Sequence, residues 1–125
     1  VVGPEAITGS TRMKAGTAQK MVLNMISTAA MIRLGYVRGN RMTNVKPSNE
    51  KLRDRSLRIL MAETGLDEEC AASLMDSADG DLRVALVMKK ASVDKGSAES
   101  ALERSGQVVE RSLELLSALK ESEKR

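Results

Sequence analysis

Between Lys20 and Arg33 the chain carries twelve consecutive residues without a charge, and they read as a helix with no polar face. Met21, Val22, Leu23, Met25, Ile26, Ala29, Ala30, Met31, Ile32 and Leu34 fall all around a 3.6-residue period. A helix that is apolar on every side must be covered, by a sheet or by another subunit. It is too short between charges to cross a bilayer, which needs about 18 apolar residues. The spacing predicts a helix from Ser10 or Thr11 to about Leu34, stopped by Gly35. The rest of the chain offers little to cover it. This, with a Val1-Val2-Gly3-Pro4 start that resembles a strand end without sheet partners, predicts a piece of a longer protein.

The helix is entered through Gly9-Ser10-Thr11-Arg12-Met13-Lys14. The first turn of a helix has unpaired N–H groups and the positive end of the macrodipole. With the hydroxyls of Ser10 and Thr11 and the cation of Lys14, it forms a candidate anion site. The simpler reading is that Ser10 is an ordinary N-cap and Lys14 a solvated side chain. Glu5 is the one acid close to this turn.

Downstream, 36–47 reads as a polar loop, and Ser48 or Asn49 as the N-cap of a second helix running to Thr64, with Gly65 as its stop. Its apolar face carries Leu52, Ile59 and Leu60. Lys51, Arg55 and Arg58 share another face at i, i+4 and i+7, with Glu50 and Asp54 beside them. Such a stripe is either solvated or a seat for an anion.

From residue 66 the sequence repeats at a period of about 27 residues, over 66–92 and 93–119. Each unit reads as two short helices joined by a turn, at Asp79-Gly80 and near Gly106-Gln107. Asp67 and Asp81 are expected caps. The apolar positions Ala71, Leu74, Met75, Ala78, Leu82, Ala85 and Leu86, then Val109, Leu113, Leu115 and Leu116, predict one compact bundle, with the tail 120–125 frayed.

Composition limits the chemistry. The chain has no histidine, Phe or Trp, one tyrosine (Tyr36) and eight methionines. The commonest general base and metal ligand is therefore missing, no metal-ligand cluster is present, and no metal or cofactor is expected. Acidic residues are interspersed with the basic ones, so the net charge of +3 forms no nucleic-acid stripe or membrane patch. The lone Cys70 has no disulfide partner within the chain. It fits a reducing compartment and reads as an inert core or boundary residue.

The segment Val2-Gly3-Pro4-Glu5-Ala6-Ile7-Thr8-Gly9-Ser10-Thr11-Arg12-Met13-Lys14-Ala15-Gly16-Thr17-Ala18-Gln19-Lys20 resembles the signature of the N-acetylmuramic acid 6-phosphate etherases. Ser48-Asn49-Glu50-Lys51-Leu52-Arg53-Asp54-Arg55 resembles their second shared motif, and the glucokinase regulatory proteins carry versions of both. The resemblance implies a mainly α fragment: a long buried helix ending an α/β sugar isomerase (SIS) domain, then a C-terminal bundle with two UBA-like helical pairs. The domains would be 1–45 and 46–125. It further implies a bacterial, cytoplasmic homodimer that cleaves the lactyl ether of N-acetylmuramic acid 6-phosphate to N-acetylglucosamine 6-phosphate and D-lactate. The reaction would be an elimination followed by water addition, with glutamates as acid and base and no metal. Ser10 and Thr11 match hydroxyls of the sugar-phosphate pocket, and Asn49, Lys51 and Arg55 match residues reaching the same ligand. Lys14 is added from the physics of helix termini alone. The catalytic glutamates would precede Val1, so the chain by itself is expected to be inactive. Alternative readings are a non-catalytic sugar-phosphate regulator and a helical protein-interaction module.

Overall fold

A computed structural model describes residues 2–44 and 47–123, the last of these in its backbone only. Val1, the expected domain boundary at 45/46 and the last two residues of the tail lie outside the described residues. The fold is mainly helical and divides into two compact units, Val1–Leu34 and Gly35–Arg125.

The first unit is a loop and one helix, α1 (Met13–Arg33). Val2–Glu5 form no strand. The helix begins later than predicted: Arg12 occupies the N-cap position without a side-chain cap bond, and Ser10 lies outside it. Leu34 closes it, with Gly35 following at φ 76°. Within this unit α1 buries nothing, so the expected cover is not supplied by the unit itself. Met21, Leu23, Met25 and Ile26 are each about 60% exposed.

The second unit opens with a feature the sequence reading missed. The expected loop contains a small antiparallel hairpin, β1 (Val37–Arg38) and β2 (Arg41–Met42), turning at Gly39-Asn40. Two-residue strands give no alternation signal, and only the glycine marked the turn. Then come α2 (Glu50–Thr64), α3 (Glu68–Ser77), α4 (Leu82–Ala91), α5 (Lys95–Arg104) and α6 (Val109–Glu123). The last helix continues through 120–123, where fraying was expected.

Side-chain caps define most of these starts. Asn49 accepts from the Leu52 N–H, Asp67 from Cys70, Asp81 from Arg83 and Asp94 from Ser97. Gly65 ends α2 in the left-handed region, where a side chain would be strained. The starts of α3 and α5, Glu68 and Lys95, are 27 residues apart, as are those of α4 and α6, Leu82 and Val109. The turns match as well. Asp79-Gly80 and Gly106-Gln107 all have positive φ, and the N–H groups of Gly80 and Gln107 donate to Met75 and Leu102, again one period apart.

α4 is the hub. It packs against α2, α3, α5 and α6, and five of its ten residues are buried. Leu60, Leu82, Leu86, Leu102, Val87 and Val109 are sealed from solvent. With no large aromatic available, fully buried alanines (Ala71, Ala85, Ala98) let the helices approach closely. Ile59 and Leu60 are core as predicted; Leu52 is half-buried. Ser112 is buried but satisfied, donating to the Val108 carbonyl at 2.9 Å and pairing with Ser105 at 2.6 Å. Ser56, equally buried on α2, has no partner for its hydroxyl.

Candidate functional site

In the first unit the start of α1 binds an anion that the chain itself provides. Glu5 Oε2 accepts from the Lys14 N–H at 3.1 Å, and Oε1 accepts from the Ala15 N–H at 3.0 Å. These are the unpaired amides that favour negative charge at a helix start. The hydrogen bonds from Ala15 and Lys14 hold the Glu5 carboxyl below its ordinary pKa. Lys14 Nζ turns back to the Pro4 carbonyl at 2.9 Å, and the Thr11 hydroxyl donates to the Ile7 carbonyl at 2.7 Å. Ser10 is exposed, beside Gly9 at φ 118°. Ser10 and Thr11 on the loop and Lys14 in the first turn of α1 therefore lie close in the chain, but the expectation that the N-terminal amides stand open for a ligand is corrected. The cap is a glutamate eight residues before the first helical residue, a spacing that no local capping pattern contains.

In the second unit the start of α2 borders an open groove of about 690 Å³. Asn49, Lys51, Arg55 and Arg58 line it together with Arg41 from the hairpin. Asp54 is the carboxylate on its wall, and it is engaged with Arg58, which reaches both oxygens at 3.2 and 2.8 Å. That pairing leaves Lys51 and Arg55 as surplus positive charge on the groove, while Arg41 is held by a carboxylate behind it. Asn49 contributes its side-chain oxygen to the helix cap, so its role at the groove edge is first structural. The spacing of Lys51, Arg55 and Arg58 signalled this face in the sequence. Arg41 carried no such signal, because only the hairpin fold brings it there.

Arg41 is tied to the bundle through Glu63 near the end of α2. Glu63 Oε1 accepts from Arg41 at 2.9 Å, and Oε2 accepts from Arg38 at 2.8 Å and from Lys90 at 3.2 Å. Arg38 also pairs with Glu110 on α6. Burial opposes ionisation of Glu63, but hydrogen bonds from Arg38 and Lys90 more than offset it, and its pKa lies below the ordinary value. On the hub helix, burial likewise opposes the charge of Asp81. The hydrogen bonds and charge of Arg83 prevail, again lowering the pKa.

Cys70 corrects a second expectation. It is exposed rather than at the core or its boundary, while the hydrogen bond to Asp67 raises its thiol pKa and disfavours the nucleophilic thiolate, in keeping with an inert thiol. Among the described residues no cluster of three or more Cys, Asp or Glu side chains could hold a metal ion. No described helix is long and apolar enough to cross a membrane.

The chain matches no family model. It is 49% identical over 115 residues, 92% of its length, to "N-acetylmuramic acid 6-phosphate etherase 1" of Bacillus licheniformis. It is 52% identical over 118 residues, 94% of its length, to an N-acetylmuramic acid 6-phosphate etherase of Synechococcus sp., and 55% identical over 102 residues, 82% of its length, to one of Lactobacillus johnsonii. It spans 34–38% of the length of these curated relatives. At this identity across most of its residues, the chain belongs to the N-acetylmuramic acid 6-phosphate etherase family.

Proposed function

We propose that the chain is the C-terminal part of a carbon–oxygen lyase that cleaves the D-lactyl ether of N-acetylmuramic acid 6-phosphate, releasing N-acetylglucosamine 6-phosphate and D-lactate in the recovery of cell-wall amino sugars. The observation that carries this reading is the basic groove at the start of α2. The segment resembling the family's second motif sets Lys51 and Arg55 beside a surplus of positive charge, as a phosphate monoester requires. Asn49 holds the helix start that places them. Ser10 and Thr11 are assigned to substrate binding through the other motif, and Lys14 through its place in the first turn of α1. The hydroxyls are the natural ligand groups, since Glu5 takes the amides.

In this reading α1 is the last helix of a SIS-type domain, its exposed apolar surface covered by that domain or by the partner in a homodimer. The two helical pairs form a UBA-like C-terminal domain, and the enzyme works in the bacterial cytoplasm. The acid and base glutamates belong to sequence that this chain does not contain. The chain alone then releases no D-lactate, since each missing acid or base group lowers a rate by about 10²–10⁴.

The test is D-lactate release from N-acetylmuramic acid 6-phosphate by an etherase of full family length that carries this sequence. Activity is expected there, with none from the 125-residue chain. Lys51→Ala in the longer enzyme is expected to weaken substrate binding by about 1.5–3 kcal/mol, the typical worth of a charge-assisted contact, with folding intact. Unchanged substrate affinity in that variant would remove the groove from the reaction.

A further inference from the structure

Arg41 lies outside both motifs, and its surroundings are those of a ligand-contacting residue. The cluster behind it is not charge-balanced. Three cations (Arg38, Arg41 and Lys90) meet on Glu63, and the second carboxylate, Glu110, is engaged by Arg38. The cluster is one negative charge short. Arg38 and Lys90 already join Glu63 to the hairpin and to α4, so a third cation is not needed to neutralise that carboxylate. Glu63 is 13% exposed, whereas Arg41 is 42% exposed and on the groove wall. One guanidinium nitrogen of Arg41 reaches Glu63, and a guanidinium has five N–H donors, so most of them remain for a ligand.

We propose that Arg41 contacts the phosphate of a sugar 6-phosphate in the α2 groove, alongside Lys51 and Arg55, and that Glu63 is the positioning residue that holds Arg41 there. This rests on the reading of the groove as the sugar-phosphate site. A phosphate monoester carries about −1.5 to −2 charges at neutral pH, which suits a groove with Lys51, Arg55 and the one net positive charge of the Glu63 cluster better than a single carboxylate would. Glu63 acts by fixing a long, rotamer-rich side chain in advance, so that less freedom is lost when the ligand arrives.

The experiment uses the whole 125-residue chain, titrated with N-acetylglucosamine 6-phosphate and followed by amide NMR, with N-acetylglucosamine as the uncharged control. The phosphorylated sugar is expected to shift resonances of α2 and the hairpin, and the uncharged sugar to shift none. Arg41→Ala is expected to weaken binding about tenfold, the usual loss of one charge-assisted contact. Arg41→Lys should recover part of that loss. Arg38→Ala, which removes a neighbouring charge outside the groove lining, should change affinity less than twofold.

Glu63→Gln gives the discriminating sign. Removing a negative charge near an anion site would ordinarily tighten binding, but here it is expected to weaken it, and to have no effect when Arg41 is already alanine. Should Glu63→Gln fail to fold, Glu63→Asp, which withdraws the carboxylate by one methylene, is expected to act in the same direction. Weakened binding in Lys51→Ala with unchanged binding in Arg41→Ala would overturn the role of Arg41 alone. Tighter binding in the Glu63 variant, or equal weakening with and without Arg41, would overturn the positioning role. No saturable binding by the unaltered chain, or no effect of either Lys51→Ala or Arg41→Ala, would overturn both this inference and the reading beneath it.

Discussion

Replacing Gly35 with alanine tests how closely the second unit is packed at its first residue. Gly35 has φ 76°, a conformation that costs an L-residue about 1–2 kcal/mol. A β-carbon there would lie 2.6 and 2.7 Å from the two methyl carbons of Val108, far inside van der Waals contact. Val108 is only 7% exposed and has little room to retreat, so relieving the overlap should cost a further 1–3 kcal/mol or about that. The lower entropy of the unfolded alanine chain returns about 0.4–1 kcal/mol, leaving a net loss of about 2–4 kcal/mol. Gly65 is the internal control. It has a similar φ of 72°, but nothing lies within 4 Å of its β-carbon position, so Gly65→Ala should cost only about 1 kcal/mol. Tyr36 is the chain's single aromatic residue, and urea unfolding followed by its fluorescence reports the second unit. Adding Val108→Ala to Gly35→Ala should recover at least about 1 kcal/mol relative to the sum of the single losses. The packing argument fails if Gly35→Ala costs no more than Gly65→Ala, or if the Gly35 and Val108 substitutions are strictly additive.

Two further substitutions bear on the same unit. Ser56→Ala removes a buried hydroxyl that has no partner and introduces a better helix former, so it should stabilise the second unit by about 1 kcal/mol in the same urea assay; a loss would mean that the hydroxyl is satisfied in solution. Glu63 and Asp81 both titrate below their ordinary values in the folded state. Their contribution is complete above the unfolded carboxylate pKa of about 4 and is lost as pH falls through the lower folded values. The Tyr36 urea midpoint should therefore stay level from pH 7 to 5 and drop below about pH 4, with a shallower drop in Glu63→Gln. An equally steep drop in that variant would remove Glu63 from the account.

The second unit was largely legible because its signals are local. Asn49, Asp67 and Asp81 each cap a helix within three residues, Gly65 stops one, and apolar residues at helical spacing mark the α3, α4 and α6 faces. The cation stripe of α2 was equally local, and it led to the groove. What escaped depends on residues far apart in the chain. Glu63 gathers partners 25, 22 and 27 positions away, and no periodicity announces such a meeting. Ser56 lies on a helix that reads as amphipathic, yet it faces the core. Cys70 reads as a core or boundary residue in the first turn of a helix; it is in that turn of α3, but on the solvent side. The start of α1 was misplaced for a related reason. Local patterns favour Ser10, and the carboxylate that takes the amides arrives from Glu5.

The clasp of Glu5 on the amides of Lys14 and Ala15 turns the segment between them into a closed ring. The hydrogen bond of Thr11 to Ile7 crosses that ring and braces it, and that of Lys14 to Pro4 reinforces its closure. A flexible loop loses conformational entropy when its ends are brought together, and a ligand that has to close the loop bears that loss in its own affinity. Here the loss falls at folding, before any ligand arrives. Ser10 is thus presented on a ring already closed, and in the proposed reading a ligand that meets it would bear none of that loss.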